Sequence, residues 1–108
     1  MDSGTAVIIL LDTYEKLLTE NQAKILRMHF DEDLSLSEIG ELCQISRQAA
    51  RDAIKKGQQQ LYHYEAALGL AEKEKKLRQT ITMLEKNTED PLKLKEGIKQ
   101  LKKIMEEP

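Results

Sequence analysis

The 108-residue chain contains one cysteine, two prolines, no tryptophan, three tyrosines and one phenylalanine. A single cysteine rules out an internal disulfide framework and fits a reducing compartment. So few aromatics, with β-branched residues that rarely alternate, exclude the usual vocabulary of sheets. The longest uninterrupted apolar run, Ala6 to Leu11, is six residues. That is far short of a membrane span, and it lacks the basic flank and small-residue cleavage site of a signal peptide. The sequence therefore predicts a cytoplasmic protein with no membrane partner. It also lacks a glycine-rich phosphate loop, a nucleophile elbow and zinc-ligand spacing. His29 and His63 are far apart in sequence and stand at no ligand-type spacing to Cys43. No enzyme activity, cofactor or metal is expected.

What is present is the vocabulary of helices: Glu, Lys, Leu, Gln and Ala dominate. With 33% charged and 40% hydrophobic residues, the apolar ones recurring periodically, the chain is expected to fold. Its length suits one small domain or a domain with an appendage, and is too short for two full-sized cores. At 100° per residue, Val7, Leu10, Leu11, Tyr14, Leu17 and Leu18 share one face of a first helix, with Ile9 turned away. Thr19 and Gln22 spell a capping box, opening a helix that buries Ile25, Leu26 and part of Met28, His29 or Phe30. Ser35 and Glu38 spell a second, for a short helix through Ile39, Leu42 and Cys43; Cys43 reads as a small buried hydrophobe. Ser46 caps a third. Beyond it Ala50, Ile54, Gly57, Leu61, Tyr64 and Leu68 keep one stripe for about six turns, until Gly69 ends the helix.

The segment from Ser35 to Leu61 is the informative one. Two short helices joined by a tight turn, the second opening on a serine, form a helix-turn-helix pattern. Gly40 stands where the first helix must let the second come close, and Ile39, Cys43, Ile45, Ala50 and Ile54 form the apolar wedge between them. Gln48, Arg51 and Lys55 share the opposite face, and Arg47 lies in the first turn. Arginine can bind guanine bidentately and glutamine adenine, so Arg51 and Gln48 are the candidates for reading bases. Arg47, Lys55 and Lys56 are the candidates for phosphate contact. The net charge of −2 hides an asymmetry: residues 1–45 carry nine acids and three bases, whereas residues 46–108 carry ten acids and fourteen bases. Four bases and a single acid, Asp52, lie between Ser46 and Gln60, so overall acidity does not exclude double-stranded DNA as partner.

The stretch LSLSEIGELCQISRQAARDAIKK, from Leu34 to Lys56, resembles the region 4 helix-turn-helix of bacterial sigma factors. Together with LLDTY at 10–14 and LLTENQ at 17–22, it is more similar still to the small YlxM family of Gram-positive DNA-binding proteins, encoded beside signal recognition particle genes. The resemblance covers most of residues 7–68. It implies an all-α, sigma region 4-like helix-turn-helix bundle, and a regulatory role linked to the signal recognition particle pathway. It also leaves open a protein-interaction module for a component of that particle, without DNA binding. Three positions depart from the pattern. Gln44 stands in the turn where glycine is favoured, Ala50 replaces a larger valine, and Arg51 stands where tyrosine is frequent.

Residues 1–68 thus read as a helix-turn-helix domain with an N-terminal helix, and 69–108 as a charged helical hairpin. In the hairpin, Leu70, Leu77, Ile81 and Leu84 fall on one side of the first helix. Asp90 and Pro91 open a second, which aligns Leu94, Ile98, Leu101 and Met105. Narrow apolar stripes rimmed by Lys and Glu point to a homodimer assembled through the hairpin, Ile9 contributing; packing of the hairpin on the long helix is the alternative.

Overall fold

Side-chain caps set where four of the helices begin. In the computed structural model, which describes residues 3–107, Thr19 and Gln22 close a reciprocal capping box at the start of α2 (Glu20–Phe30). Ser35 and Glu38 do the same for α3 (Leu36–Cys43). The Ser46 hydroxyl accepts from the Ala49 N–H (2.9 Å) to open α4 (Arg47–Leu68). Asp90, followed by Pro91 at the first helical position, opens α6 (Pro91–Glu106). With α1 (Ser3–Tyr14) and α5 (Leu70–Lys86) the described residues are all-α, with no strand among them. They sort into two compact units that divide between Gly69 and Leu70; Gly69, at φ 61°, ends α4 in the left-handed conformation.

In the N-terminal unit α4 is the hub, packed by α1, α2 and α3 in turn. The core consists of Val7, Leu11 and Tyr14 from α1, Ile25 and Leu26 from α2, Ile39 from α3, and Ala50, Ile54 and Leu61 from α4, with Leu10, Leu18 and Ala23 at its margin. Tyr14 fixes α1 to α4 twice over: its hydroxyl donates to Glu65 (2.5 Å), and its ring lies tilted on Tyr64 at 5.9 Å. Tyr64 in turn donates to the Leu17 carbonyl (3.3 Å). Arg27 of α2 ties the end of α1 down, reaching Asp12 (2.8 Å) and Glu15 (3.1 Å) as well as Asp31 (3.6 Å). Partial burial works against its charge, but the bonds to Glu15 and Asp12 outweigh it and hold the guanidinium above its ordinary value.

The apolar stripes need four corrections. The first helix stops at Tyr14, and a 3-10 turn over Glu15–Leu17 follows. That turn is tighter than an α-helix. Leu18 then becomes extended, so it and not Leu17 points inward; Leu17 is 53% exposed. On α3 the inward face uses Ile39, Gly40 and, in part, Cys43, leaving Leu42 61% exposed and the Cys43 thiol only half-buried, 3.9 Å from the Met28 sulfur. Leu68, a turn beyond Tyr64, is half-exposed.

The fourth correction concerns the hairpin. Its helices meet along Thr80, Met83 and Leu84 of α5 and Leu94, Gly97, Leu101 and Ile104 of α6, so Leu84, Leu94 and Leu101 stand where the stripes put them, while Thr80, Gly97 and Ile104 take the places of Ile81, Ile98 and Met105. Gly97 causes the shift. A Cβ there would overlap the Leu84 side chain and come within 2.8 Å of that of Met83, so the α6 backbone packs directly on these side chains and Ile98 and Met105 turn outward.

Two tests follow from the N-terminal unit. Ala50 is fully buried and Ala49 is exposed. Ala50→Asp places an unpaired carboxylate in the core and should cost about 3–5 kcal/mol, read as a large drop in thermal midpoint. Ala49→Lys should stay within about 0.5 kcal/mol of the parent. The second test uses Glu38, whose carboxyl lies below the ordinary glutamate value, mainly because the Ser35 N–H donates to it. A lowered folded value adds stability that is present above the ordinary value, about pH 4.3, and is lost as the pH falls through the lowered one. Glu38→Gln keeps a capping acceptor without a charge. The stability gap between parent and variant should therefore shrink in the parent's disfavour below that pH; a gap that is independent of pH contradicts the assignment.

Candidate nucleic-acid interface

The junction of α3 and α4 is built by three neighbouring residues. Gln44 adopts the left-handed conformation at φ 56°, ψ 44°. The chain then folds back, so that the Ile45 N–H donates to the Gly40 carbonyl (2.9 Å) and the Gln44 N–H to that of Glu41 (3.3 Å). This pair of bonds is a Schellman ending. Gly40 makes the closure feasible. A Cβ on it would stand 2.9 Å from the Ile45 carbonyl oxygen and 3.5 Å from the Arg47 nitrogen, both backbone atoms that cannot move aside cheaply. Ser46 follows at once as N-cap, so α4 leaves the turn in a direction fixed by hydrogen bonds at both of its ends.

With Ala50 and Ile54 turned into the core, the opposite face of α4 must face water. Arg47, Gln48, Arg51, Lys55 and Lys56 are all exposed. Arg47, Gln48 and Arg51 come together around an open recess of about 520 Å³, completed by Leu36 from the first turn of α3. Lys55 and Lys56 lie a turn further along α4 and do not line it. The positive end of the α4 dipole points the same way as these cations, which favours an anion at the mouth of the recess.

Two members of this surface were not singled out from sequence. Leu36 is half-buried and adds an apolar wall. Its signal was its place directly after the Ser35 cap, at the edge of the helix pair. Asp52 accepts from the Gln48 side-chain nitrogen (3.0 Å). That bond uses one of the two amide N–H groups, so the other N–H and the amide oxygen of Gln48 are left for bidentate pairing with adenine. The histidines stand apart: His29 donates through Nδ1 to the Leu34 carbonyl (3.1 Å) and rests edge-on against Phe30, while His63 is exposed. Among the described residues no three His, Cys, Asp or Glu side chains cluster so as to hold a metal ion, and no helix is long and apolar enough to cross a membrane.

An all-helical unit whose fourth helix is capped, set at a fixed angle by a three-residue turn and faced with cations defines a helix-turn-helix protein. Comparison with known proteins agrees. Residues 1–105 match the model of a family described as "Putative helix-turn-helix protein, YlxM / p13 like", and the chain belongs to that family, UPF0122. A UPF0122 protein of Clostridium novyi is 46% identical over 77 residues, covering 71% of this chain and 67% of the relative. One from Clostridium botulinum is 44% identical over 73 residues, 68% of this chain and 67% of its own. A third, from Desulforamulus reducens, is 39% identical over 104 residues, 91% and 89% of the two chains.

The left-handed Gln44 supplies a test of the junction. An L-residue in that conformation costs about 1–2 kcal/mol, part of which glycine recovers. Gln44→Gly should therefore raise stability by up to about 1 kcal/mol, measured as a later urea midpoint. Gln44→Val, β-branched at the same dihedrals, should lower it. Equal midpoints for all three proteins contradict the geometry of the turn.

Proposed function

We propose that the protein is a DNA-binding regulator that reads double-stranded DNA with the N-terminal half of α4 in the major groove. The observation that carries this reading is the exposed set Arg47, Gln48 and Arg51 gathered around one recess at the start of a rigidly set helix. Arg51 and Gln48 are assigned to base edges; Arg47, Lys55 and Lys56 to phosphates. In this reading residues 1–68 form a sigma region 4-like DNA-binding domain and 69–108 an assembly domain that makes the protein a homodimer. Two recognition helices would then meet half-sites about 34 Å apart on one face of the duplex. RNA is the poorer fit, since recognition of single strands rests on stacking aromatics and Tyr64 is engaged with Tyr14 and Leu17. The link to the signal recognition particle pathway and a role without enzymatic activity are carried by resemblance to the YlxM family, and work in the cytoplasm by the single cysteine and the short apolar runs.

Binding titrations with specific and random duplexes test the assignment. Arg51→Ala should cost about 1–3 kcal/mol on the preferred duplex and much less on random DNA. Lys55→Ala should weaken both alike and reduce the salt slope by about one. If both variants bind every duplex as the parent does, α4 is not the reading helix. Co-purification with a signal recognition particle component, with no affinity for DNA, would replace the DNA reading by a protein-interaction one.

A further inference from the structure

The two faces of the hairpin differ in kind. One carries a recess floored by Met83 and Ile104 and rimmed by Lys76, Gln79, Lys103 and Glu107, with Glu107 held by Lys73 (3.3 Å) and Lys76 (3.5 Å). The other is apolar. Ile81 follows Thr80 on the contact line of α5, and Ile98 and Met105 follow Gly97 and Ile104 on that of α6. A step of one residue turns each helix by about 100° in the same sense. Because the helices run antiparallel, equal steps bring all three side chains to the same face. There Ile81 is 47% exposed, Ile98 50% and Met105 73%, with Leu77 and Leu84 half-buried beneath them.

We propose that this apolar face is covered by the same face of a second copy, with α5 of each chain lying against α6 of the other. The inference rests on the homodimer reading above and names its surface and its geometry. Charge at the rim selects the occupant. Beyond Ile81 the rim of α5 carries Glu85 together with the paired Glu74 and Arg78 (2.7 Å); beyond Ile98 the rim of α6 carries Lys95 and Lys102. Register sorts them. Gly97 is level with Met83 and Leu84, and Lys73 with Glu107, so Glu85 is level with Lys95, while Lys102 is level with Arg78, whose charge Glu74 offsets. A two-fold axis parallel to the helices preserves these levels and sets Glu85 against Lys95 of the second copy, once on each side of the axis. An axis across the helices would set α6 on α6, bringing the two lysine rims together. The face is large enough. Two adjoining helices, each about 25 Å long and 10 Å wide, present about 500 Å² per copy, so the pair covers about 1,000 Å², where specific interfaces begin. The product is an antiparallel four-helix bundle with the recesses rimmed by Lys76, Lys103 and Glu107 on the outside.

Sedimentation equilibrium of the full chain tests this, using the parent, Ile98→Asp, Glu85→Lys, Lys95→Glu and the double swap Glu85→Lys with Lys95→Glu. These positions are exposed, so circular dichroism should show unchanged helix content. The parent is expected to be dimeric at about 100 µM, and Ile98→Asp monomeric. Each single swap should weaken dimerisation by about tenfold, and the double swap should restore it to within about threefold. A monomeric parent overturns both the homodimer reading and this surface. A dimer indifferent to Ile98→Asp overturns the surface alone and leaves the homodimer reading standing. A double swap that fails to restore what both single swaps weaken overturns the pairing of α5 with α6.

Discussion

The contact on which the N-terminal unit depends is the approach of the Ile45 carbonyl to Gly40. Nothing larger than hydrogen fits between them. That closeness lets the chain reverse in three residues, and the reversal allows Ser46 to cap a helix whose first inward residues, Ala50 and Ile54, are buried with Ile39 where α3 packs on α4. Moving the turn outward by the width of a methyl group would tilt α4 away from the wedge. Every other helix of the unit is packed on α4 and would lose its reference.

This constraint also separates what α4 does for stability from what it does for recognition. Its buried stripe holds three helices, and its opposite face, free of that duty, concentrates cations in a chain that is acidic overall. The acids of the N-terminal half are partly occupied elsewhere. Asp12, Glu15 and Asp31 converge on Arg27, and Glu38 caps α3. The negative charge of residues 1–45 is thus spent in part on tying α1 to α2 and on helix ends, while the start of α4 carries Arg47 and no acid in its first turn.

Local signals were legible in the sequence, and long-range ones less so. Caps depend on residues three apart, so Thr19, Ser35, Ser46 and Asp90 could be read directly; the demand on Gln44 came from the resemblance, whose pattern favours glycine there. Burial depends on which neighbour covers a face. Leu17 is misplaced because a 3-10 turn breaks the 100° step, and Leu42 because so short a helix meets α2 and α4 on one side only. In the hairpin Ile81, Ile98 and Met105 are misplaced because Thr80 and Gly97, neither counted as apolar, lie on the contact line, and because close approach at Gly97 outweighs the size of Ile98. On the candidate interface Gln48, Arg51 and Lys55 were visible from wheel position, and Arg47 from its place in the first turn. Leu36 comes from another helix, and the grip of Asp52 on Gln48 is a matter of rotamers, which spacing does not encode.

The central claim is that the exposed start of α4 recognises duplex DNA by sequence. Selection of bound sites from a random duplex pool by the full chain, followed by titration of the enriched duplex across a salt series, tests it most directly. One recurrent site should emerge, with log affinity falling against log salt at a slope of roughly −3 per copy for the three phosphate contacts assigned to Arg47, Lys55 and Lys56. A pool that emerges unenriched, or binding that does not respond to salt, would contradict it.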